Sequence, residues 1–398
     1  MVLIGECPCF RLEETDLKEC IPMSTYNTAD LRRQNRSRVF RYIFDSETPV
    51  TKQEIAQSLS LSLPTVGQNL KELQECGLLE TQGTFHSTGG RKPRAIGVAA
   101  GVRCAVGIMI SVYHIHMVCI DLRANLICQT SIICDFAATD EYFHNMAVEL
   151  EQFLDEYHID RDHLLGVGVA LPGIVDEAHE TVTLSPFVEA EEFPTQQLKQ
   201  YIPYRCFIEN DANAGGIAEW WNHKDREHES MVYLSVQRGV GGAVLMNGVS
   251  YMGHHHHSGE FGHMCIVPHG EKCLCGMEGC LEAYCSTARI STDLGITREE
   301  FFEGLEQGNP DFQKRWDEYL DYLAIGINNI RMVLDCNVVL GGVLAQFMEP
   351  YIADLRQRLC CINPFGSGGS YLQLSRYRSW STCVGVALHF ISEFIDSI

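Results

Sequence analysis

A chain of 398 residues with 45% apolar content has room for two or three domains with ordinary cores. No apolar run reaches the roughly 18 residues of a membrane span, and the opening MVLIGECPCFRLEE lacks the basic start and long apolar core of a secretory signal. The expectation is a soluble, cytoplasmic protein that does not enter a membrane, and its eighteen cysteines then imply free or metal-bound thiols in place of a disulfide framework.

The net charge of −22 argues against a nucleic-acid partner until it is divided along the chain. Residues 27–95 hold ten Lys/Arg against seven Asp/Glu, whereas residues 96–398 hold 18 against 40. A small polyanion-binding module joined to an acidic body suits that asymmetry, although the local excess is slight.

Residues 1–26 carry Pro8, Pro22 and scattered charge without a sustained period, and are read as an N-terminal tail. MSTYNTADLRRQNR resembles a natural beginning, so Met23 competes with Met1 as the start. From Thr28 the pattern is helical, with Leu31, Val39, Ile43 and Phe44 near one face and Arg32, Arg33, Arg36, Arg38 and Arg41 on the others. TKQEIAQSLS and SLPTVGQNLKELQECG then read as two short helices, with Thr51 and Ser62 as N-caps, Pro64 in the first turn of the second, and Cys76 and Gly77 at its end. Only a tight turn separates them, and Ile55, Ala56, Leu59, Leu61, Val66, Leu70 and Leu73 supply the packing faces of a helix-turn-helix.

The second helix is expected to offer Thr65, Gln68, Asn69 and Lys71 to a major groove. Leu78 and Leu79 begin a strand, and the Gly-rich basic loop STGGRKPR returns the chain as a wing, in which Arg91, Lys92 and Arg94 are placed to meet phosphate or the minor groove. Residues 27–95 are thus read as an α+β winged helix-turn-helix. A helical hairpin for protein contacts is the competing reading, and the basic wing counts against it.

Beyond residue 96 the periods change. CAVGIMISV, HIHMVCIDL and LICQTSIIC read as an antiparallel three-strand run leading to a helix near Glu141–Tyr157, and LLGVGVALPG as a strand ending in a Pro172–Gly173 turn. FIENDANAGGIAEW joins a strand to a helix, MVYLSVQRGVGGAVLMNG reads as a hairpin, helices dominate 283–335, and VVLGGVL returns to a strand. Alternation in two successive blocks predicts two α/β lobes around a cleft over 96–398, and such clefts are natural small-ligand sites.

Within GEFGHMCIVPHGEKCLCGMEGCLE, His263, Cys273, Cys275 and Cys280 supply one imidazole and three thiolates, the ligand set of tetrahedral zinc. Four protein ligands close the shell, so a structural ion is expected. The spacing C-x-C-x4-C is tight, and Gly276 and Gly279 let the backbone fold back far enough to gather the sulfurs. Chance clustering of buried thiols is the competing reading in a cysteine-rich chain; the glycines and the upstream histidine favour the metal. His254–His257 is a further polar run just before this stretch, open to a second metal or to a role at the mouth of the cleft.

VTKQEIAQSLSLSLPTVGQNLKELQECGLL, STGGRKP, ALPGIVD, ENDANA, GEFGH and CLCGMEGCLE occur in the order found in the ROK family, and the chain resembles that family over residues 27–398. The family comprises bacterial sugar-responsive repressors and sugar kinases; the winged helix makes this chain similar to the repressor branch. The resemblance implies an actin-like, hexokinase-like pair of α/β lobes. It also implies a sugar set consisting of Gly173 in the LPG turn, Asn210 and Asp211 in ENDANA, Glu260 and His263 in GEFGH, and Glu282; Asp211 stands where the kinases carry their general base. If one His263 nitrogen holds zinc, the other is left facing the ligand.

Sugar kinases of this superfamily open the first lobe with an Asp-x-Gly-Gly-Thr phosphate loop. Here the strand runs AVGIMISVYHIHM, with Met109 near the aspartate's place and no paired glycines following. The resemblance therefore implies a non-enzymatic repressor that binds a double-stranded DNA operator as a homodimer or homotetramer and responds to a sugar effector. A sugar kinase that still turns over ATP is the alternative.

Overall fold

The computed structural model describes residues 28–84, 94–176, 180–184, 192–221, 230–365 and 368–398. It divides into an N-terminal unit ending at Gly97, with which the terminal Ile398 groups, and a larger unit over Val98–Ser397.

The N-terminal unit contains helices α1 (Thr28–Asp45), α2 (Lys52–Leu59) and α3 (Leu63–Glu75) and the paired strands β1 (Leu79–Thr84) and β2 (Arg94–Val98). The caps fall where the sequence places them. Thr51 accepts from the Glu54 amide while the Glu54 carboxylate takes the Thr51 N–H, a reciprocal capping box, and Ser62 accepts from the Thr65 amide at 3.2 Å. Val50 and Ile96 exchange two backbone hydrogen bonds of 2.9 Å, which ties the chain before α2 to the sheet. Val39, Phe40, Ile43, Ile55, Val66, Leu70 and Leu73 are buried together with Leu78 and Leu79. Leu31 is not part of this core: it is 49% exposed and lies in the exposed run 30–34 near the start of α1. The segment 85–93 lies outside the described residues, and with it Arg91 and Lys92 of the expected wing.

The larger unit has two lobes. The first begins with the antiparallel run β3 (Cys104–Ile110), β4 (His114–Asp121) and β5 (Leu126–Ile133), followed by α4 (Asp140–Glu156) and β6 (Leu164–Leu171), which returns parallel to β3. A small sheet of β7 (Gly173–Asp176), β8 (Thr181–Leu184) and β9 (Glu192–Pro194) comes next, then α5 (Thr195–Lys199) and β10 (Cys206–Asn210). The main sheet is ordered β10-β6-β3-β4-β5. Val106, Ile108 and Ile110 of β3 point to the face covered by α4, where Phe143, Met146 and Leu150 meet them.

Helix α6 (Asp211–Trp221) leads to the second lobe: β11 (Ser230–Val236), β12 (Val240–Met246), β13 (Val249–Ser250), α7 (Leu281–Cys285), α8 (Arg298–Glu306), α9 (Pro310–Leu334), β14 (Asn337–Gly341), α10 (Ile352–Ile362) and β15 (Leu372–Leu374). Its sheet, β13-β12-β11-β14-β15, buries Val232, Leu234 and Val338 against α8, α9 and α10, and Met231, Tyr233 and Leu245 on the α6 side. The alternation along β11 is that of a strand buried on both faces by different partners.

The closing helix α11 (Ser381–Ser397) lies on the first sheet and crosses α6. Three glycines permit this. A Cβ on Gly107 or Gly168 would strike the α11 backbone at Cys383 or Val386, and one on Gly385 would strike the Ala214 carbonyl of α6. Helix α6 is also fastened at both ends: Thr382 Oγ1 donates to the Asp211 carbonyl at 3.0 Å, and the buried Glu219 carboxylate accepts from Ser375 Oγ, Ser381 Oγ and the Arg376 amide at 2.7–2.9 Å.

Candidate ligand and metal site

Strand β10 ends at Asn210 and α6 begins at Asp211, so two candidate ligand residues sit at a strand-to-helix junction. Asn210 Oδ1 caps the helix by accepting from the Ala212 and Asn213 amides, both at 2.9 Å, and its Nδ2 donates to the Gly173 carbonyl at 2.7 Å. Gly173 has φ of 155°, open to glycine and rarely to other residues. One side chain therefore joins the LPG turn to ENDANA and keeps a single N–H for a ligand.

Asp211 is half-buried as a residue while its carboxyl group lies below the surface. That burial raises its pKa to about 6; the Ala212 N–H opposes the rise and the neighbouring Glu260 carboxylate adds to it. Because the folded-state value lies above that of the unfolded chain, the native state holds the extra proton, and stability falls as pH rises from about 4 through about 6. Asp211→Asn is accordingly expected to be more stable than the parent near pH 7.5 by about 1–2 kcal/mol, with the difference vanishing near pH 4. Thermal unfolding at the two pH values checks this; a less stable variant at the higher pH would refute the assigned burial.

Glu260 and His263 belong to one 3-10 turn, and both are exposed. His263 Nε2 lies 3.8 Å from Glu260 Oε2, while Nδ1 lies 3.9 Å from Cys273 Sγ. The imidazole thus has one nitrogen toward the thiols and one toward the Glu260 carboxylate. His263, Cys273, Cys275 and Cys280 bring their donor atoms within 4.8 Å of one another, the group among the described residues able to close around one ion. The backbone makes this possible through left-handed Gly276 and Gly279 and the Cys273–Met277 and Gly279–Glu271 hydrogen bonds, both 2.8 Å. Three neutral thiols and an imidazole would not need such convergence, whereas a tetrahedral metal ion does; the donor set fits zinc. Cys265 pairs its backbone with Cys280 but stands outside the group.

Glu282 is buried at the start of α7. Its Oε2 accepts from the Val240 amide at 2.8 Å, its Oε1 lies 3.6 Å from Cys273 Sγ, and burial raises its pKa. It braces β12 against the thiol cluster and reaches a ligand only through the lone pairs left over. His254–His257 form an exposed turn, the first two rings 4.6 Å apart, and Met252 beside them accepts from Asn213 Nδ2 at 3.3 Å.

In the first lobe, Met109 pairs with His116 inside an unbroken β3–β4 ladder. His116 packs edge-on against Trp380, and burial lowers its pKa to about 4 with help from the neighbouring His114. At the hairpin tip Tyr113 lies under the Arg238 guanidinium of the β11–β12 turn, 5.1 Å from the ring centroid. The β3–β4 and β11–β12 hairpins are thus in contact through side chains.

In the N-terminal unit, Gln68 and Lys71 occupy the exposed face of α3, where Gln68 Nε2 donates to Glu72 at 2.9 Å and Lys71 lies 3.6 Å from Glu75. Thr65 is half-buried beside the cap. Asn69 departs from expectation: it is buried, its Nδ2 donating to the Thr65 carbonyl at 2.9 Å. Position 69 lies three residues after Val66 and four before Leu73, on the inward stripe of the helix, so it faces the core and not a groove. Arg94 is exposed at the start of β2.

These features define a class: two α/β lobes of the actin-like, hexokinase-like kind, preceded by a winged helix-turn-helix. The chain belongs to the ROK family, whose sequence profile matches residues 105–361. It is 26% identical over 372 residues to the xylose repressor of Bacillus subtilis, covering 88% of this chain and 93% of that protein. It is 27% identical over 264 residues to the DNA-binding transcriptional dual regulator NagC of Escherichia coli, covering 66% and 64%. Among solved structures it is similar to a ROK family transcriptional regulator described as a homologue of the E. coli MLC protein, with a TM-score of 0.69, 20% identity and coverage of 92% and 97%. A ROK family glucokinase from Streptomyces griseus shares the two lobes, with a TM-score of 0.59, 20% identity and coverage of 72% and 98%.

Proposed function

We propose that this chain is a DNA-binding transcription regulator, a repressor of carbohydrate-use genes, whose operator affinity is set by a sugar or sugar derivative in the ROK cleft. The observation that carries the reading is the pairing of a complete helix-turn-helix with an assembled Gly173–Asn210–Asp211–Glu260 neighbourhood and an unbroken β3–β4 ladder at Met109. Carboxylates and an amide suit neutral hydroxyls, since each acceptor takes O–H donors at fixed geometry. Asp211 serves as a binding group in this reading, with no phosphoryl donor beside it.

His263, Cys273, Cys275 and Cys280 would hold a zinc ion whose role is structural, fixing the turn that carries Glu260 and His263. Gln68, Lys71 and Arg94, with Thr65 at the cap and Arg91 and Lys92 in the wing, form the DNA face. A homodimer or homotetramer would present two such faces to a palindromic site. No helix among the described residues is long and apolar enough to cross a membrane, in keeping with a cytoplasmic regulator.

The test is selection of genomic fragments by the purified protein, followed by anisotropy titration with and without a panel of sugars and sugar phosphates. One sugar is expected to shift operator affinity, and Glu260→Ala to abolish the shift while leaving affinity in its absence unchanged. ATP-dependent turnover of a sugar, lost in Asp211→Asn, would establish the kinase alternative instead.

A further inference from the structure

Lys52 opens α2, where a cation stands against the positive end of the helix dipole. The nearest carboxylate in its turn, Glu54, is engaged by the Thr51 amide at 2.6 Å, and Lys52 has no hydrogen-bond or ion-pair partner among the described residues. Its half-buried side chain does not wander into solvent. It runs to α3 and ends over Gly67: a Cβ built there would lie 3.1 Å from Lys52 Cε and closer still to Nζ. Gly67 lies mid-helix, where glycine is the weakest former after proline, and its φ is ordinary, so conformation does not explain it. The missing side chain makes room for the lysine. Gly67 precedes Gln68 and lies one turn before Lys71, so an unpaired ammonium is seated beside the exposed face of this helix.

We propose that Lys52 is a DNA-backbone contact, its ammonium carried to the edge of the recognition helix through the gap at Gly67 and completed there by a phosphate oxygen. A residue unfavourable to its own helix, without a protein partner, and accommodated by a second unfavourable residue on the neighbouring helix is accounted for by a polyanion. Lys52 then positions the helix on the duplex and does not read bases. The inference rests on the DNA-binding reading above, and the test separates the two.

The probe is a fluorescein-labelled duplex of mixed sequence, titrated with the full-length protein across a salt series, because non-specific binding isolates the phosphate contribution. Lys52→Gln is expected to bind roughly ten-fold more weakly, with the slope of log affinity against log salt reduced by about 0.9 per bound chain. Lys52→Arg should restore the slope. Gly67→Ala, which keeps every charge but fills the gap, should weaken binding by an intermediate factor. Unfolding temperature should hardly change in Lys52→Gln, since no hydrogen bond or ion pair among the described residues is lost and glutamine keeps most of the aliphatic stem over Gly67. An unchanged slope in Lys52→Gln would overturn the contact, and unchanged affinity in Gly67→Ala would overturn the role of the gap. If the parent protein shows no salt-dependent binding to any duplex, the regulator reading fails first.

Discussion

Replacing Cys280 with serine is expected to release the metal, loosen residues 259–282 and silence the response to sugar, while both lobes stay folded. Cys280 is 2% exposed, its sulfur lies 3.8 Å from that of Cys275, and it opens α7 directly after the tight Gly279 turn. The knuckle around it has almost no apolar interior of its own: Leu274 and Met277 at its tip are 73% and 66% exposed. On the proposed reading a bound metal would take the place of a core, and ligation of this kind contributes about 10–16 kcal/mol in small zinc domains, far above any neighbouring hydrogen bond. The main cores lie elsewhere and do not depend on the knuckle. Elemental analysis should fall from a single ion per chain to near none, with faster amide exchange confined to the knuckle and the Glu260–His263 turn. Equal exchange in the variant and the parent would mean that the thiols are inert packing.

Gly385→Ala should destabilise the larger unit by about 3 kcal/mol or more. The added carbon would strike the Ala214 carbonyl, a backbone group held in the middle of α6, so no side chain can swing aside. Helix α11 would have to lift from α6 or from the first sheet, and the Gly107 and Gly168 contacts leave it no slack there. Gly101→Ala is the control: nothing lies within 4 Å of its added carbon, and it should unfold with the parent. Denaturant titration of the three proteins checks the order; equal midpoints would show that the helix crossing adapts.

Local chemistry is what the sequence made legible. Thr51, Ser62, Pro64 and Gly77 punctuate the helices as their side chains dictate, and the thiol spacing with two glycines foretold a convergent cluster. Partnership across distance was not legible. Asn69 looked like a base-reading amide by type, and only its spacing from Val66 and Leu73 placed it inside. Glu282 is expected among the ligand residues, and the bond that its Oε2 accepts from the distant Val240 amide is not visible in the sequence. The short strand β9 lies in a stretch without a motif, and it exists because β8 supplies its hydrogen bonds. In STCVGVALHFISEF apolar residues surround the helix, the mark of burial on all sides, but nothing in it announces that glycines of β3 and β6 would be its bed.

The unbroken β3–β4 ladder at Met109 and the Tyr113–Arg238 contact at its tip bear on what kind of signal such a protein can deliver. A kinase alters its sugar and sends it onward, so the occupancy of its cleft reflects throughput. A cleft that returns its ligand unchanged comes to balance with the surrounding pool, and its occupancy tracks abundance alone. No fuel enters the cycle, so the contrast between the ligand-free and ligand-bound outputs is bounded by how differently the two conformations hold that one molecule. On the proposed reading, the protein works as a gauge and not as a meter.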